Sequence, residues 1–187
     1  MYPSLEAVAA AAVPGYRYAH DYISDLGRPD SPLGPLMNTA FVVQGLLFLA
    51  GAVLLARAAP INGSGILFVG CAGANAVGNI VVAIVPSGPA GIPWLHVAAA
   101  VLAIVGGNLA ILAGPPFVTA AGASRYYRAA SIGLATLGLL SFVLLAIAST
   151  TSVTTVLPGG VWERTSVYTI IAWQVLSSLQ LLVRPTE

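Results

Sequence analysis

Charge is the scarcest property of this 187-residue chain. Asp, Glu, Lys and Arg together make up 7% of the residues, lysine is absent, and all seven cations are arginines. A soluble domain carries about 25% charged residues. Because 58% of the chain is hydrophobic, this depletion predicts that the folded chain has lipid as its main solvent. The net charge of +1 and the lack of a basic run exclude the charge pattern of a nucleic-acid-binding protein.

Residues that support metal, thiol or cofactor chemistry are also few. The single cysteine, Cys71, excludes an intramolecular disulfide. His20 and His96 are the only histidines, few for a zinc site, and no H-E-x-x-H or G-x-S-x-G sequence occurs. The glycines Gly106 and Gly107 lie within an apolar run, where helix packing explains them better than phosphate binding. The sequence therefore predicts neither a metal site nor a cofactor.

Apolar segments make up most of what is present. Five of them approach the roughly 20 residues that a membrane-spanning helix needs, and proline or glycine separates them. They cover residues 36–56, 65–85, 94–113, 129–148 and 167–183. A sixth segment, 5–13, is too short to cross, and we expect it to be the end of a first span whose beginning is missing. Since backbone in lipid must be helical, the predicted fold is all-α. It is a single transmembrane domain over residues 1–187, a polytopic helix bundle with five full spans and a truncated first span.

The distribution of arginine predicts how the bundle lies in the membrane. Cytoplasmic loops are enriched in arginine relative to outward ones. One side has four arginines and one acid, and the other has three arginines and four acids. The four arginines of the first side are Arg57, Arg125, Arg128 and Arg184. This bias predicts a multi-pass protein of the cell membrane with a cytoplasmic C-terminus and with the connection Arg17–Asp30 facing outward.

The connection Arg17–Asp30 holds six of the fifteen Arg, Asp, Glu and His side chains. Read as a helix, it places charged side chains along one face at i+4 and i+3 spacings: Arg17, Asp21, Asp25 and Arg28. The pattern predicts a short amphipathic helix that lies on the outward surface of the membrane and ends at Gly27. His20 and Ser24 share another face of this helix, and a solvated helix does not by itself explain that pair.

Further polar side chains are predicted to lie in the outward half of the bundle. At a rise of 1.5 Å per residue, Glu6 lies roughly 12 Å below the outer boundary, and an intramembrane acid is a functional hypothesis by default. The sequence predicts a polar-lined pocket that opens outward, with these binding residues: Glu6, Asp21, Asn38, Asn79, Glu163 and Arg164. The alternative role for amide side chains is hydrogen bonding between helices, which we expect for Gln44, Asn75, Asn108 and Gln174.

Short motifs along the chain resemble a known family. They are Pro14-Gly15-Tyr16, Tyr22-Ile23-Ser24-Asp25-Leu26-Gly27, Asn38 at the start of a span, and Leu95-His96 after a proline-rich turn. With these motifs the chain resembles, over essentially its whole length, the bacterial integral-membrane family known as domain of unknown function 998. The resemblance implies a six-span membrane protein, most of whose first span would be absent here. It implies no biochemical function.

Three functions are compatible with this pattern. The first is a noncatalytic membrane protein that binds lipid or small molecules, or an accessory subunit, with membrane lipid and a second copy or another membrane subunit as partners. The second is an outward-facing hydrolase or transferase that acts on lipid; its candidate catalytic residues are His20, Ser24, Asp25 and His96. The third is a small transporter in which Glu6 or His96 carries a proton. Because no catalytic signature or inverted repeat occurs, we rank the noncatalytic function first.

Overall fold

The structure, a computed structural model, describes residues 1–59, 64–121, 124–150 and 156–182. These residues form helices and no strand, which confirms the predicted all-α fold. In chain order the elements are α1 (Tyr2–Ala11), a 3-10 helix (Ile23–Gly27), α2 (Gly34–Ala58), α3 (Ser64–Ile84), α4 (Pro93–Ala113), α5 (Pro115–Ala120), α6 (Arg125–Thr150) and α7 (Gly159–Leu182). Proline lies in the first turn of α1, α2, α4 and α5, where its missing N–H removes no helical hydrogen bond.

Four helices of the described residues are long and apolar enough to cross a membrane. They are Gly34–Ala58, Gly65–Ile84, Pro93–Ala120 and Tyr126–Thr150, and they coincide with four of the predicted spans. The fifth predicted span, 167–183, falls in α7, apart from residue 183, which lies outside the described residues. Because α7 begins at Gly159, its first turns also include the charged side chains of Glu163 and Arg164. The short apolar segment predicted at 5–13 forms α1, displaced to Tyr2–Ala11.

The connection Arg17–Asp30, the turn 85–92 and the start of α7 meet at one end of the bundle, which we call the connection end. The Val161 N–H donates to the Ala19 carbonyl at 3.1 Å, and Ser87 Oγ donates to Asp25 Oδ1 at 2.8 Å. Topology therefore brings polar groups that are far apart in the chain to one place, as the sequence predicted. The last turn of α2 and the first turns of α6 lie at the opposite end.

The connection contains a short helix, but it is not the expected amphipathic helix over Arg17–Arg28. A turn over residues 17–21 precedes the five-residue 3-10 helix Ile23–Gly27. Two carboxylates bond to the backbone instead of lining a helix face. Asp21 accepts a hydrogen bond from the N–H four residues before it at 2.7 Å, and Asp25 accepts one from the N–H three residues before it at 3.2 Å. Such side-chain bonds compete with the α-helical hydrogen bonds.

The 3-10 helix packs into the bundle instead of lying on the membrane surface. Ile23 and Leu26 are 1% and 0% exposed. A Cβ on Gly27 would lie 2.2 Å from the end of the Asn38 side chain on α2, so a larger residue there would have to displace that side chain. Asn38 Nδ2 donates to the Gly27 carbonyl at 3.0 Å. The predicted solvated helix is therefore a buried roof over the connection end of the bundle.

The hydrophobic core consists of two clusters, one toward each end. In the cluster toward the opposite end, Phe68 and Phe117 stack with ring centroids 5.2 Å apart, and Trp173 packs edge-on against Phe68. In the cluster at the connection end, Leu26 and Met37 are fully buried.

Small residues let α3 and α4 approach closely, as expected from the stripe formed by Gly70, Ala74 and Gly78. A Cβ on Gly78 would lie 2.4 Å from the Ala103 nitrogen, and one on Gly106 would lie 3.0 Å from the Ala74 Cβ. Gly70 takes no part, since a Cβ there would meet nothing within 4 Å. The close crossing brings the polar face of α3 against the α4 backbone.

Candidate functional site

A small polar cavity, which we call the chamber, lies beneath the 3-10 helix between α2, α3, α4 and α7. Its volume is about 50 Å³, enough for roughly four water molecules at about 10–15 Å³ each. The polar side chains in its wall are Ser24, Gln44, Asn75, Asn79 and Glu163. The rest of the wall is apolar or aromatic, with Tyr2 of α1 and Phe41 of α2 among the larger side chains. The chamber is thus a small cavity whose mostly apolar wall carries a few polar side chains. Of the binding residues predicted from the sequence, its wall includes Asn79 and Glu163.

Asn75, a residue of the chamber wall, carries an unsatisfied polar atom. The residue is 2% exposed, and its Nδ2 donates to the Ala103 carbonyl on α4 at 2.7 Å. A carbonyl can only accept a hydrogen bond, so it requires the NH₂ end of the amide and leaves Oδ1 on the other side. Asn75 Oδ1 is itself buried and has no hydrogen-bond partner. Leaving a buried acceptor unpaired costs about 1–3 kcal/mol, so the amide helps to join α3 to α4 at a cost in free energy.

Asn79 lies one turn further along the same face of α3, as its i, i+4 spacing from Asn75 requires. The structure places this predicted binding residue in the chamber wall. Its Nδ2 donates to the Asn75 backbone carbonyl at 2.9 Å. The same reasoning about amide orientation leaves Asn79 Oδ1 as an acceptor for another partner.

Glu163 is the acidic residue of the described chamber wall, and burial raises the pKa of its carboxyl to about 7. It lies in the first turns of α7, and its Oε2 accepts a hydrogen bond from the Ile23 N–H at 2.5 Å. The carboxylate therefore caps the start of the 3-10 helix, where backbone N–H groups have no helical partner. This bond ties the roof of the chamber to α7. Since a carboxylate has about four lone-pair sites, Glu163 retains acceptor capacity for an occupant.

A second polar cluster lies beside the chamber and joins α1 to α7. Arg164 Nε donates to Glu6 Oε1 at 2.9 Å, and Tyr168 Oη donates to Glu6 Oε2 at 2.7 Å. Glu6 is 0% exposed and Arg164 is 8% exposed. Burying an acid is tolerable when an arginine neutralises it and its oxygens are hydrogen-bonded. The intramembrane acid that the sequence singled out therefore belongs to an ion pair, and its carboxylate is already engaged.

The remaining nitrogens of Arg164 hold the connection Arg17–Asp30 in place. Nη1 donates to the backbone carbonyls of Tyr18, Asp21 and Gly160 at 2.6, 2.8 and 3.1 Å. Nη2 donates to Tyr16 Oη at 2.5 Å. The guanidinium carbon also lies 4.8 Å from the centroid of the Tyr18 ring, within cation–π range. All three guanidinium nitrogens are thus engaged outside the chamber.

The family of this membrane bundle follows from a match over nearly the whole chain. Residues 2–180 match the family described as "Protein of unknown function (DUF998)". The chain belongs to this family. Together with its four long apolar helices, the match supports an integral membrane protein of unknown activity. Searches of curated proteins and of solved structures find no match, and the DUF998 description names no reaction, so function has to be argued from the side chains.

Three other predicted site residues of this DUF998 protein form hydrogen bonds within the protein. The described wall of the chamber includes none of them. Asp21 pairs with Arg17 at 3.0 Å on the surface, and the hydrogen bonds from Arg17 lower the pKa of the Asp21 carboxyl. Asp25 accepts the hydroxyl of Ser87, and Asn38 holds the 3-10 helix through its amide. The hydrogen bonds of these side chains stabilise the folded connection Arg17–Asp30.

The histidines are not part of the described chamber wall. His96, which is 7% exposed, bonds through Nδ1 to the Val85 carbonyl at 2.7 Å, so this nitrogen carries the proton. His20 is exposed in the connection. Ser24 does line the chamber, but among the bonds of the described residues none joins it to either histidine. The nucleophile and base that hydrolysis requires are therefore not paired in this structure.

Two chamber residues, Gln44 and Asn75, were expected only to bond between helices. Asn75 does so through Nδ2, and its oxygen is buried without a hydrogen-bond partner. The signal that could have identified it is the i, i+4 stripe that it shares with Asn79. The described residues include no group of three or more His, Cys, Asp and Glu side chains that could hold a metal ion. The polar groups of the wall come instead from one carboxyl residue, two hydroxyl residues, Ser24 and Tyr2, and three amide residues.

Proposed function

We propose that this integral membrane protein is a noncatalytic binding protein whose chamber holds a small polar molecule or ion. The observation that carries the proposal is a cavity among apolar helices whose wall includes the polar side chains of Ser24, Gln44, Asn79 and Glu163. Buried polar groups nearly always have a partner, so this wall is suited to an occupant that forms hydrogen bonds with it. The volume of about 50 Å³ fits a few non-hydrogen atoms and is small for a lipid headgroup.

The geometry supports binding better than hydrolysis. A hydrolase needs a base within hydrogen-bond reach of its nucleophile. Ser24 is the hydroxyl in the chamber wall, whereas the buried histidine, His96, is committed to the Val85 carbonyl. Glu163, the acid of the described chamber wall, accepts the backbone N–H of Ile23. These contacts favour a site that holds a ligand without transforming it.

The packing beyond the chamber favours binding over transport. Asn108, fully buried on α4, donates to the carbonyls of Ile104 and Ser166 at 2.9 and 3.0 Å and accepts from Thr169 at 3.0 Å. Its amide is thus fully used inside the protein. In the opposite half of the bundle, the buried core is the aromatic cluster around Trp173. Both features support a binding site more than a continuous polar pathway.

The proposal places the chamber near the outer surface of the cell membrane, with lipid as the partner of the exposed apolar side chains. Large apolar residues on the bundle surface are strongly exposed, for example Ile66 at 85%, Ile84 at 71% and Leu54 at 67%. Lipid tails around these residues remove that surface from water. The arginine bias is the reason for assigning the connection end to the outward side.

Binding is tested by the thermal unfolding of the purified protein in lipid nanodiscs with three classes of small probe. The cations are potassium and methylammonium, the neutral probe is acetamide, and the anion is acetate. The unfolding temperature with each probe is compared with that in choline chloride. We expect at least one class to raise the unfolding temperature in a saturable way, because a ligand of the native state stabilises it by mass action.

Two matched variants locate the effect. Asn79→Leu puts an apolar side chain in the chamber wall and should abolish the response. Gln180→Leu makes a similar change near the other end of α7 and should preserve it. If no probe gives a saturable rise, or if Asn79→Leu responds like the wild type, the proposed binding function is wrong.

A further inference from the structure

An apolar groove of about 470 Å³ lies between α2 and α7 in the half of the bundle toward the opposite end. Its wall consists of residues of α2 from 47 to 58, residues of α7 from 173 to 181, and Phe68 of α3. We propose that this groove binds one phospholipid of the leaflet at that end, with an acyl chain in the groove and an anionic headgroup at Arg57. The site is separate from the chamber and does not depend on the binding function proposed for it.

The helix α1 covers the space between α2 and α7 toward the connection end but not at the groove. Tyr2 of α1 packs on Phe41 of α2 with ring centroids 6.0 Å apart, and α1 is joined to α7 through the ion pair of Glu6 with Arg164. Leu47, the first α2 residue of the groove wall, lies about 9 Å beyond Phe41 along the helix. Because Leu47 is 60% exposed, the groove opens on the lipid-facing surface just beyond α1.

The length of the groove favours an acyl chain over a membrane-spanning helix as its occupant. From residue 47 to residue 58, α2 rises by about 17 Å, roughly half of the 30 Å thickness of the hydrocarbon core. A spanning helix of a second copy would need the whole length between α2 and α7, and α1 occupies the other part. An acyl chain of one leaflet reaches only to the middle of the bilayer, so its length matches that of the groove.

The hydroxyl groups of the groove wall are already engaged inside the protein. Ser177 Oγ donates to the Trp173 carbonyl at 2.7 Å, and Ser178 Oγ donates to the Gln174 carbonyl at 2.9 Å. The side-chain nitrogen of Gln174 is itself buried. The larger side chains of the wall are apolar or aromatic: Leu47, Phe48, Leu54, Leu55, Phe68, Trp173 and Leu181. Such a wall suits a hydrocarbon chain better than a polar molecule.

The charge at the mouth of the groove suits an anionic headgroup. Arg57 is exposed in the last turn of α2, next to Ala58 of the groove wall, and it takes part in none of the three ion pairs of the described residues. The acidic residues of the described chain all belong to α1, the connection or the start of α7: Glu6, Asp21, Asp25, Asp30 and Glu163. The opposite end is therefore positive, and basic side chains beside membrane helices attract anionic lipid headgroups.

Lipid binding is measured by native mass spectrometry of the purified, delipidated protein in maltoside detergent. Dioleoylphosphatidylglycerol, which is anionic, and dioleoylphosphatidylcholine, which is zwitterionic, are titrated separately. We expect one phosphatidylglycerol to bind in a saturable way and more tightly than phosphatidylcholine. A phosphatidylglycerol with a photoactivatable diazirine on its acyl chain should label residues 47–58 of α2 or residues 173–181 of α7.

Gly51→Phe fills the groove with a side chain. Gly51 is part of the groove wall, and a Cβ there would meet nothing within 4 Å, so the variant should fold. The affinity for phosphatidylglycerol should fall at least about tenfold, as expected when two methylene groups lose their site. Gly133→Phe is the matched control on α6, where a Cβ also meets nothing within 4 Å, and its affinity should equal that of the wild type.

Arg57→Gln tests the headgroup contact. It should lower the affinity for phosphatidylglycerol about fivefold, the effect of one arginine near an anionic headgroup, and leave phosphatidylcholine binding unchanged. Arg128→Gln removes the same charge from an exposed position on α6 at the same end, outside the groove wall, and should have no effect. Equal losses in the two arginine variants would show a general attraction to the positive end and overturn the site at Arg57.

Three further results would contradict the lipid site. One is a folded Gly51→Phe protein that binds phosphatidylglycerol like Gly133→Phe; if Gly51→Phe does not fold, Gly51→Leu replaces it in this comparison. Another is a label that spreads over the exposed apolar residues of all helices without saturation. The third is a dimer that Gly51→Phe dissociates, because a second copy of the chain would then be the occupant of the groove.

Discussion

Arg164 joins several separate segments of the described chain through the hydrogen bonds of its guanidinium group. Its guanidinium bonds Glu6 of α1, carbonyls of the connection and the hydroxyl of Tyr16. The pair with Glu6 is buried, whereas the two other ion pairs of the described residues, Arg17 with Asp21 and Arg28 with Asp30, are exposed to solvent. Burial decides how much such a pair matters, because an uncompensated buried charge cannot be hydrated.

Arg164→Leu should therefore destabilise the protein by about 3–5 kcal/mol, because it leaves the Glu6 carboxylate buried without a counter-charge. Arg17→Leu breaks a pair whose arginine side chain is 68% exposed, and it should cost no more than about 1 kcal/mol. Unfolding in nanodiscs with increasing denaturant measures both. Equal losses in the two variants would contradict a structural role for the buried pair.

The residues of this pair were both recognisable in the sequence, but their pairing was not. Glu6 stood out as an acid in an apolar segment, and Arg164 as a charge at the start of a span. They are 158 positions apart in the chain, and no local spacing rule reaches that far. The same holds for Asn75: its amide was visible, but which atom bonds and which atom is left over depends on the Ala103 carbonyl of another helix.

At the scale of the helices, the packing of α3 against α4 depends on how closely their backbones approach each other. Gly78→Ala places a Cβ 2.4 Å from the Ala103 nitrogen and 2.6 Å from the Ala99 carbonyl oxygen. Backbone atoms cannot move aside as a flexible side chain can, so we expect a loss of about 1–3 kcal/mol from overpacking. The free energy of unfolding in nanodiscs measures this loss.

Gly70→Ala is the matched control on the same helix, where a Cβ would meet nothing within 4 Å. There the higher helix propensity of alanine is unopposed, and the change should be neutral or stabilising by up to about 1 kcal/mol. A destabilisation of Gly78→Ala no larger than that of Gly70→Ala would argue against the close crossing.

The elements themselves differ in how far the sequence predicted them. Helices such as α2 and α4 follow from apolar length, because lipid leaves the backbone no other way to satisfy its hydrogen bonds. The connection did not follow from charge spacing. Asp21 and Asp25 bond to backbone N–H groups, and burial of Leu26 pulls the segment inward, so a 3-10 helix forms where spacing alone predicts an α-helix.

For the whole molecule, the arginine bias predicts which end of the bundle faces outward. In a Cys71→Ala background, Asp30→Cys should react with a membrane-impermeant maleimide on intact cells that express the protein. Arg57→Cys, at the end of α2 and exposed, should react only after the membrane is permeabilised. The reverse labelling pattern would show that the connection end faces the cytoplasm.

The sequence by itself determined the solvent of this protein, the helical class of its fold and the end of the bundle at which polar groups gather. Composition and apolar length suffice for these, because lipid permits few kinds of backbone. Only the tertiary structure decided that Glu6 and Arg164 neutralise each other, that neither histidine enters the described chamber wall, and that the Asn75 amide bonds the Ala103 carbonyl of α4. Each of these depends on which groups from distant helices come within about 3 Å of one another, and hydrogen bonding at that range is set by packing.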